Sequence, residues 1–125
     1  VMDTIVSKYK NKVVFIDLWA TWCVPCLEAM KQFRAIKSDF RDEDVVFVYL
    51  TSESSPRKLW EEKIKGIGGE HYYLTDDQWS YMMDHFGFSY IPSYLLYNRQ
   101  GVLIDKFSPF PGNNIVKEMI NGLLK

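Results

Sequence analysis

The apolar positions of the chain change period several times, and each change marks an element. Residues 13–19 (VVFIDLW) form a β-branched and aromatic run with Asp17 as its one polar member, which predicts a buried strand. From Val24 onward Cys26, Met30, Phe33, Ile36 or its neighbour, and Phe40 recur at steps of three and four. Glu28, Lys31, Arg34 and Lys37 fall between them, so an amphipathic helix starts just after Cys23. Residues 45–51 (VVFVYLT) read as a second buried strand, entered through the acidic turn 41–44. Strand, helix, strand in this order predicts a parallel pair with a right-handed crossover.

Further along, Ser55-Pro56 opens a helix with proline at its first position, running to about Lys65 and closed by Gly66, Gly68 and Gly69. A short extended piece follows at residues 71–74, and Asp76 or Asp77 caps a helix that runs through Phe86 and ends at Gly87. Residues 93–98 and 102–107 are two strands joined by a tight turn ending in Gly101, hence an antiparallel hairpin. Asn113 or Asn114 caps a last helix with one apolar stripe, Ile115, Met119, Ile120, Leu123 and Leu124. The whole fits one central mixed sheet flanked by helices, an α/β domain spanning residues 1–125.

Composition narrows the function. With 15 Lys and Arg against 16 Asp and Glu, the net charge is −1 and the bases are interleaved with acids, so no positive stripe for a nucleic acid is present. No apolar run approaches the roughly 18 residues of a membrane span. Residues 1–12 carry Asp3 and several lysines in place of an apolar stretch, so they do not read as a signal peptide, and the chain is expected to be a mature or excised domain.

The two cysteines, Cys23 and Cys26, sit where a strand hands over to a helix. There the first sulfur meets free backbone N–H groups and the positive end of the helix dipole, which lowers a thiol pKa. Cys23 is therefore expected to be the nucleophile, exposed at the sheet edge, and Cys26, one turn further in on the apolar face, the shielded resolving thiol. Pro25 stiffens the first turn without removing a needed N–H. Zinc is disfavoured: beyond these cysteines only His71 and His85 remain, without finger-like spacing. An inert structural disulfide would need neither a helix N-terminus nor the proline. Trp22, beside Cys23, is expected to wall the site.

Residues 17–26 (DLWATWCVPC) resemble the active-site segment of thioredoxins, and the order of elements follows that superfamily along essentially the whole chain. The extra helix and extended piece between the second strand and Pro92, and the segment 86–96 (FGFSYIPSYLL), are similar to the TlpA/ResA-like branch. The resemblance implies a thioredoxin fold with an insertion between the second central strand and a cis-proline. It implies that Ile91-Pro92 is cis opposite the cysteines, with Ile91 offering backbone hydrogen bonds to substrate. It also implies that Asp17 is a buried carboxylate beneath them. In an apolar strand such an acid should have a raised pKa and shuttle a proton to or from Cys26; the alternative is a strand-end residue reaching solvent.

The chain departs from the superfamily pattern in places. Val24 replaces the glycine that follows the first cysteine, a position that tunes redox potential together with Pro25, so the direction of electron flow is open. Lys31 replaces the proline that kinks the first helix, which predicts a straighter helix. No lysine lies in residues 45–51 to pair with Asp17, and Ala29 stands where the branch commonly has an acid, with Glu28 given no catalytic role. The expectation is a monomeric thiol-disulfide oxidoreductase, without metal or organic cofactor, that reduces protein disulfides over an apolar rim of Trp22, Tyr90, Ile91 and Pro92. An upstream thiol donor would supply electrons, and the resemblance implies an extracytoplasmic bacterial setting within a longer chain. The competing class is a non-catalytic interaction module of the same fold. A peroxidase is disfavoured, because Ala20 stands where that chemistry wants threonine.

Overall fold

The computed structural model describes residues 1–125. In chain order the elements are α1 (Met2–Ser7), β1 (Val13–Leu18), α2 (Val24–Asp39), β2 (Val45–Ser52), α3 (Arg57–Ile64), β3 (Glu70–Leu74), α4 (Asp76–Phe86), β4 (Ser93–Tyr97), β5 (Leu103–Phe107) and α5 (Asn113–Leu124). The strands form one sheet in the order β3-β2-β1-β4-β5. β1, β2 and β3 run parallel, with Val13 opposite Val45 and Val48 opposite Glu70, while β4 and β5 are antiparallel to their neighbours. The central strand β1 is buried at all six positions, which explains its near-continuous apolar run.

Two cores lie on opposite faces of this sheet. On one, Val14, Ile16 and Leu18 pack with Val48, Leu50, Leu95, Ile5 of α1 and Met82 of α4. On the other, Val13 and Phe15 pack with Phe33 and Ile36 of α2 and with Val116 and Ile120 of α5. Phe15 stacks on Phe33 at 5.2 Å, and Phe33 meets Phe47 edge-on at 5.2 Å, which clamps α2 to β1 and β2. A third cluster, Trp19, Ala20, Cys23, Cys26, Tyr49 and Trp60, sits beyond the C-terminal ends of β1 and β2.

Several local expectations need correction. α1 was absent from the sequence reading: its buried residues Met2, Ile5 and Val6 have helical spacing, but six residues without a side-chain cap give little signal. The extended piece near residue 71 is a full sheet strand, β3, whose edge position leaves it half-buried and therefore weakly apolar. Gly69 leads into it at φ 78°, where a Cβ would approach Phe47 O to 2.7 Å, so only glycine fits. Pro56 is the N-cap of α3 and not its first helical residue. α4 is capped by Thr75 in a reciprocal capping box with Gln78, not by Asp76 or Asp77. Its C-terminus closes on Gly87 at φ 72°. Gly112 is the N-cap of α5, because the Asn113 amide instead donates to Gln32 O at 2.8 Å. α2 runs uninterrupted for 16 residues through Lys31.

Candidate active site

The turn between β1 and α2 is fixed from below by hydroxyls of the β2–α3 loop. Thr21 N donates to Ser55 Oγ at 3.0 Å, and Ser55 Oγ also lies 2.7 Å from Thr51 Oγ1. Trp22 Nε1 donates to Ser54 Oγ at 3.1 Å, which sets the indole against the same loop. Ser55 is fully buried, so these bonds form in a low-dielectric setting where losing a partner is costly. No periodicity in the sequence singles out these serines. Their signal was the hydroxyl-rich run 51–55 at the end of an apolar strand.

Cys23 is the N-cap of α2: its sulfur accepts from Cys26 N–H at 3.2 Å, satisfying one of the free donors of the first turn. Pro25 occupies that turn. Cys23 and Cys26 are joined in a disulfide with their Cα atoms 5.2 Å apart. The Ile91–Pro92 peptide is cis and faces the pair, with Cys23 Sγ 4.0 Å from Ile91 O. The expectation that Cys23 is exposed is corrected, since only 4% of it is accessible against 0% of Cys26. The disulfide is recessed because Ile91 lies over Cys23 and the Trp19 cluster takes both sulfurs into its packing. Exposure belongs to the rim: Trp22 is 60% accessible, Val24 66% and Tyr90 52%.

Asp17 is buried, so the solvent-reaching alternative is excluded. In the sheet register it lies between Tyr49 on β2 and Tyr94 on β4, both also buried. Its Oδ1 finds no hydrogen-bond partner in the protein. Desolvation pushes its pKa from 3.8 to about 8, and the Lys37 ammonium offsets only part of that rise. Burial, with a smaller contribution from the Asp17 charge, also raises the phenols of Tyr49 and Tyr94.

Lys37 is the cation that β2 does not supply. It reaches in from α2, donates to Ile67 O at 2.6 Å and sits 4.9 Å above the Tyr49 ring. Burial lowers its own pKa, against the favourable field of Asp17. The signal was present in the helical pattern: residues 30, 33, 37 and 40 continue the buried stripe, and position 37 is a lysine in it. His71 stacks on Tyr49 at 5.0 Å and contacts Gly68 O, whereas His85 lies on α4 beside Tyr81. No group of three His, Cys, Asp or Glu residues is placed to hold a metal. A surface cavity of about 520 Å³ lies at the opposite end of β1, lined by Asp3, Lys10, Lys12 and Arg99 among others, and holds neither cysteine.

A parallel-then-antiparallel sheet, a disulfide capping the first long helix and a cis-proline facing it define a thioredoxin-fold protein of the CxxC type. The sequence profile of the Redoxin family matches residues 3–120, and the chain belongs to that family. It is 21% identical over 116 residues to thiol-disulfide oxidoreductase ResA of Bacillus thuringiensis, covering 93% of this chain and 64% of ResA. The chain thus spans less than two thirds of that relative's length. In structure it is similar to a thiol:disulfide interchange protein of the thioredoxin family from Chlorobium tepidum, with TM-score 0.78, 16% identity, and 95% and 84% of the two chains covered. It is likewise similar to the exposed lipoprotein thioredoxin of Streptococcus pneumoniae, with TM-score 0.72, 22% identity, and 94% and 90% covered. These two likenesses are of fold. The elements α3, β3 and α4 lie between β2 and Pro92.

Proposed function

We propose that this chain, acting as one domain, is a thiol-disulfide oxidoreductase that reduces disulfides of protein substrates through Cys23 and Cys26. The observation that carries this reading is the Cys23 sulfur acting as the N-cap acceptor of α2. A sulfur that accepts an N–H at a helix N-terminus is stabilised as a thiolate, the attacking species in exchange. In the dithiol form, Cys23 Sγ attacks one sulfur of a substrate disulfide, forming a mixed disulfide and releasing the other substrate sulfur as a thiolate. The Cys26 proton passes to the Asp17 carboxylate, and the Cys26 thiolate attacks Cys23 Sγ. This closes the intramolecular disulfide and releases the second substrate thiolate, which takes up a proton. Two electrons have moved from the protein to the substrate, and a thiol donor restores the dithiol.

Asp17, whose pKa burial raises to about 8 and so toward that of a thiol, serves as the proton acceptor for Cys26. Trp22, Ile91 and Pro92 form the surface on which the substrate strand rests, and Val24 with Pro25 sets the potential of the pair. An extracytoplasmic site of action is supported by the likeness to an exposed lipoprotein thioredoxin and to ResA. The reading includes a monomer that works without metal or organic cofactor. The test is reduction of insulin by dithiothreitol with parent protein and Cys23→Ser. The parent should accelerate it and the variant should fall to the uncatalysed rate; a non-catalytic interaction module would leave the parent at that rate as well.

A further inference from the structure

Two serines face each other at the end of the β4–β5 ladder that lies toward the disulfide. Ser93 is the first residue of β4, and Ser108 follows the last residue of β5. Tyr94 pairs with Phe107, so the next pair outward is Ser93 with Ser108, and their Oγ atoms are 2.5 Å apart. Ser93 is fully buried, and its Oγ also donates to Tyr90 O at 2.5 Å. A hydroxyl has one proton to donate. The Tyr90 carbonyl can only accept, so the Ser93 proton points there and the Ser108 hydroxyl must be the donor to Ser93. The chain therefore runs in one direction, from Ser108 O–H to Ser93 O–H to Tyr90 C=O, and hydrogen bonds in series polarise one another.

Tyr90 O belongs to the Tyr90–Ile91 peptide, which is planar and trans. A carbonyl held toward Ser93 therefore turns the Ile91 N–H the opposite way, away from Ser93. That N–H gives no hydrogen bond within the backbone. The carbonyl of the same residue lies 4.0 Å from Cys23 Sγ, so the free N–H sits beside the place where a substrate sulfur must arrive. From this geometry we infer that Ser108, acting through Ser93, is a positioning residue that fixes the Tyr90–Ile91 peptide so that its N–H meets the backbone of a substrate segment carrying the disulfide. The inference rests on the oxidoreductase reading and adds to it a preference for disulfides borne on an extended peptide. Without the tether this peptide group would have to be ordered as substrate binds, and that cost weakens binding. A small disulfide brings no strand to pair with the N–H and gains nothing from the tether.

The test mixes reduced protein with excess insulin or with dithiobis(nitrobenzoate), a disulfide without a peptide strand, and follows single-turnover loss of the protein thiols. Ser108→Ala should slow the reaction with insulin about fivefold, the effect of one hydrogen bond, and leave the nitrobenzoate rate no lower than the parent's. Ser108→Thr keeps the donor and should return insulin to within about twofold of the parent. Ser93→Ala should slow insulin at least as much as Ser108→Ala, and combining the two should add less than about twofold, because both act through one chain. Equal slowing of both substrates, no slowing of insulin, no rescue by threonine, or a further loss in the double variant overturns the positioning role. A parent inert toward both substrates overturns the oxidoreductase reading instead. If Ser108→Ala does not fold, Ser93→Ala is judged by the same contrast between insulin and the nitrobenzoate.

Discussion

The two faces of β1 share one backbone and carry different chemistry. On the α1/α4 face, Val14, Ile16 and Leu18 meet leucines, valine and methionine, and the cluster holds no charged side chain. On the α2/α5 face the strand begins the same way with Val13 and Phe15, then places Asp17 between two buried tyrosines, and Trp19, just past its end, packs with the two cysteines. The first face stabilises the fold under all conditions, as area removed from water does. The second stabilises it conditionally, because a carboxyl with an unpartnered oxygen is tolerable while it holds its proton and costly once it does not. The molecule places its less stable chemistry next to the sulfurs, at the end of the strand that presents them.

That asymmetry predicts a pH-dependent stability. The pKa of Asp17 is raised to about 8 from 3.8, so within this window the folded chain holds a proton that the unfolded chain has lost. Stability therefore falls as pH rises from about 4 and levels off above about 8, by roughly 6 kcal/mol from this group. Asp17→Asn should flatten the curve and leave the variant more stable than the parent at pH 8.5 in urea titrations, while slowing turnover at least about tenfold. Ile16→Ala, one residue away on the other face, should cost roughly 2–5 kcal/mol at every pH, read as a parallel downward shift of the same curve. If the two variants gave curves of the same shape, the contrast between the faces would be lost.

Smaller effects sharpen the contrast. Ser55→Ala removes the acceptor of Thr21 N and the partner of Thr51, so it should cost roughly 1–3 kcal/mol and slow insulin reduction by loosening the turn before Cys23. Lys37→Met removes the one positive charge that favours ionised Asp17, so the midpoint of the pH-dependent loss should move upward, by a fraction of a pH unit. Thr75→Ala, at the cap of α4, should cost about 1 kcal/mol and leave the reduction of dithiobis(nitrobenzoate) untouched.

Much of the frame was legible because it is written in local periodicity. β1, β2 and the β4–β5 hairpin follow from apolar runs and a turn ending in glycine, and α2 from its stripe. Cys23 and Cys26 could be singled out because a cysteine pair has few other uses at such a junction, whereas the role of Pro92 came only with the resemblance to thioredoxins. What was not legible depends on contacts between distant segments. The recessed position of Cys23 arises from Ile91, 68 residues away, and the fixing of Trp22 from Ser54, 32 residues away. Lys37 reads in the sequence as one of the polar positions between the apolar ones of α2, and its relation to Asp17 requires knowing that α2 crosses Tyr49. α1 is too short to announce itself, and the extended piece at 71–74 becomes the sheet strand β3 through the partner that β2 provides.

The central claim is that the sulfur capping α2 is the ionised one. In the reduced protein, the rate of Cys23 alkylation by iodoacetamide, followed by mass spectrometry between pH 4 and 10, reads its ionisation directly. The account predicts a midpoint clearly below the roughly 8.5 of an ordinary thiol, with Cys26 reacting far more slowly. A midpoint at or above that value, or Cys26 reacting first, would contradict it.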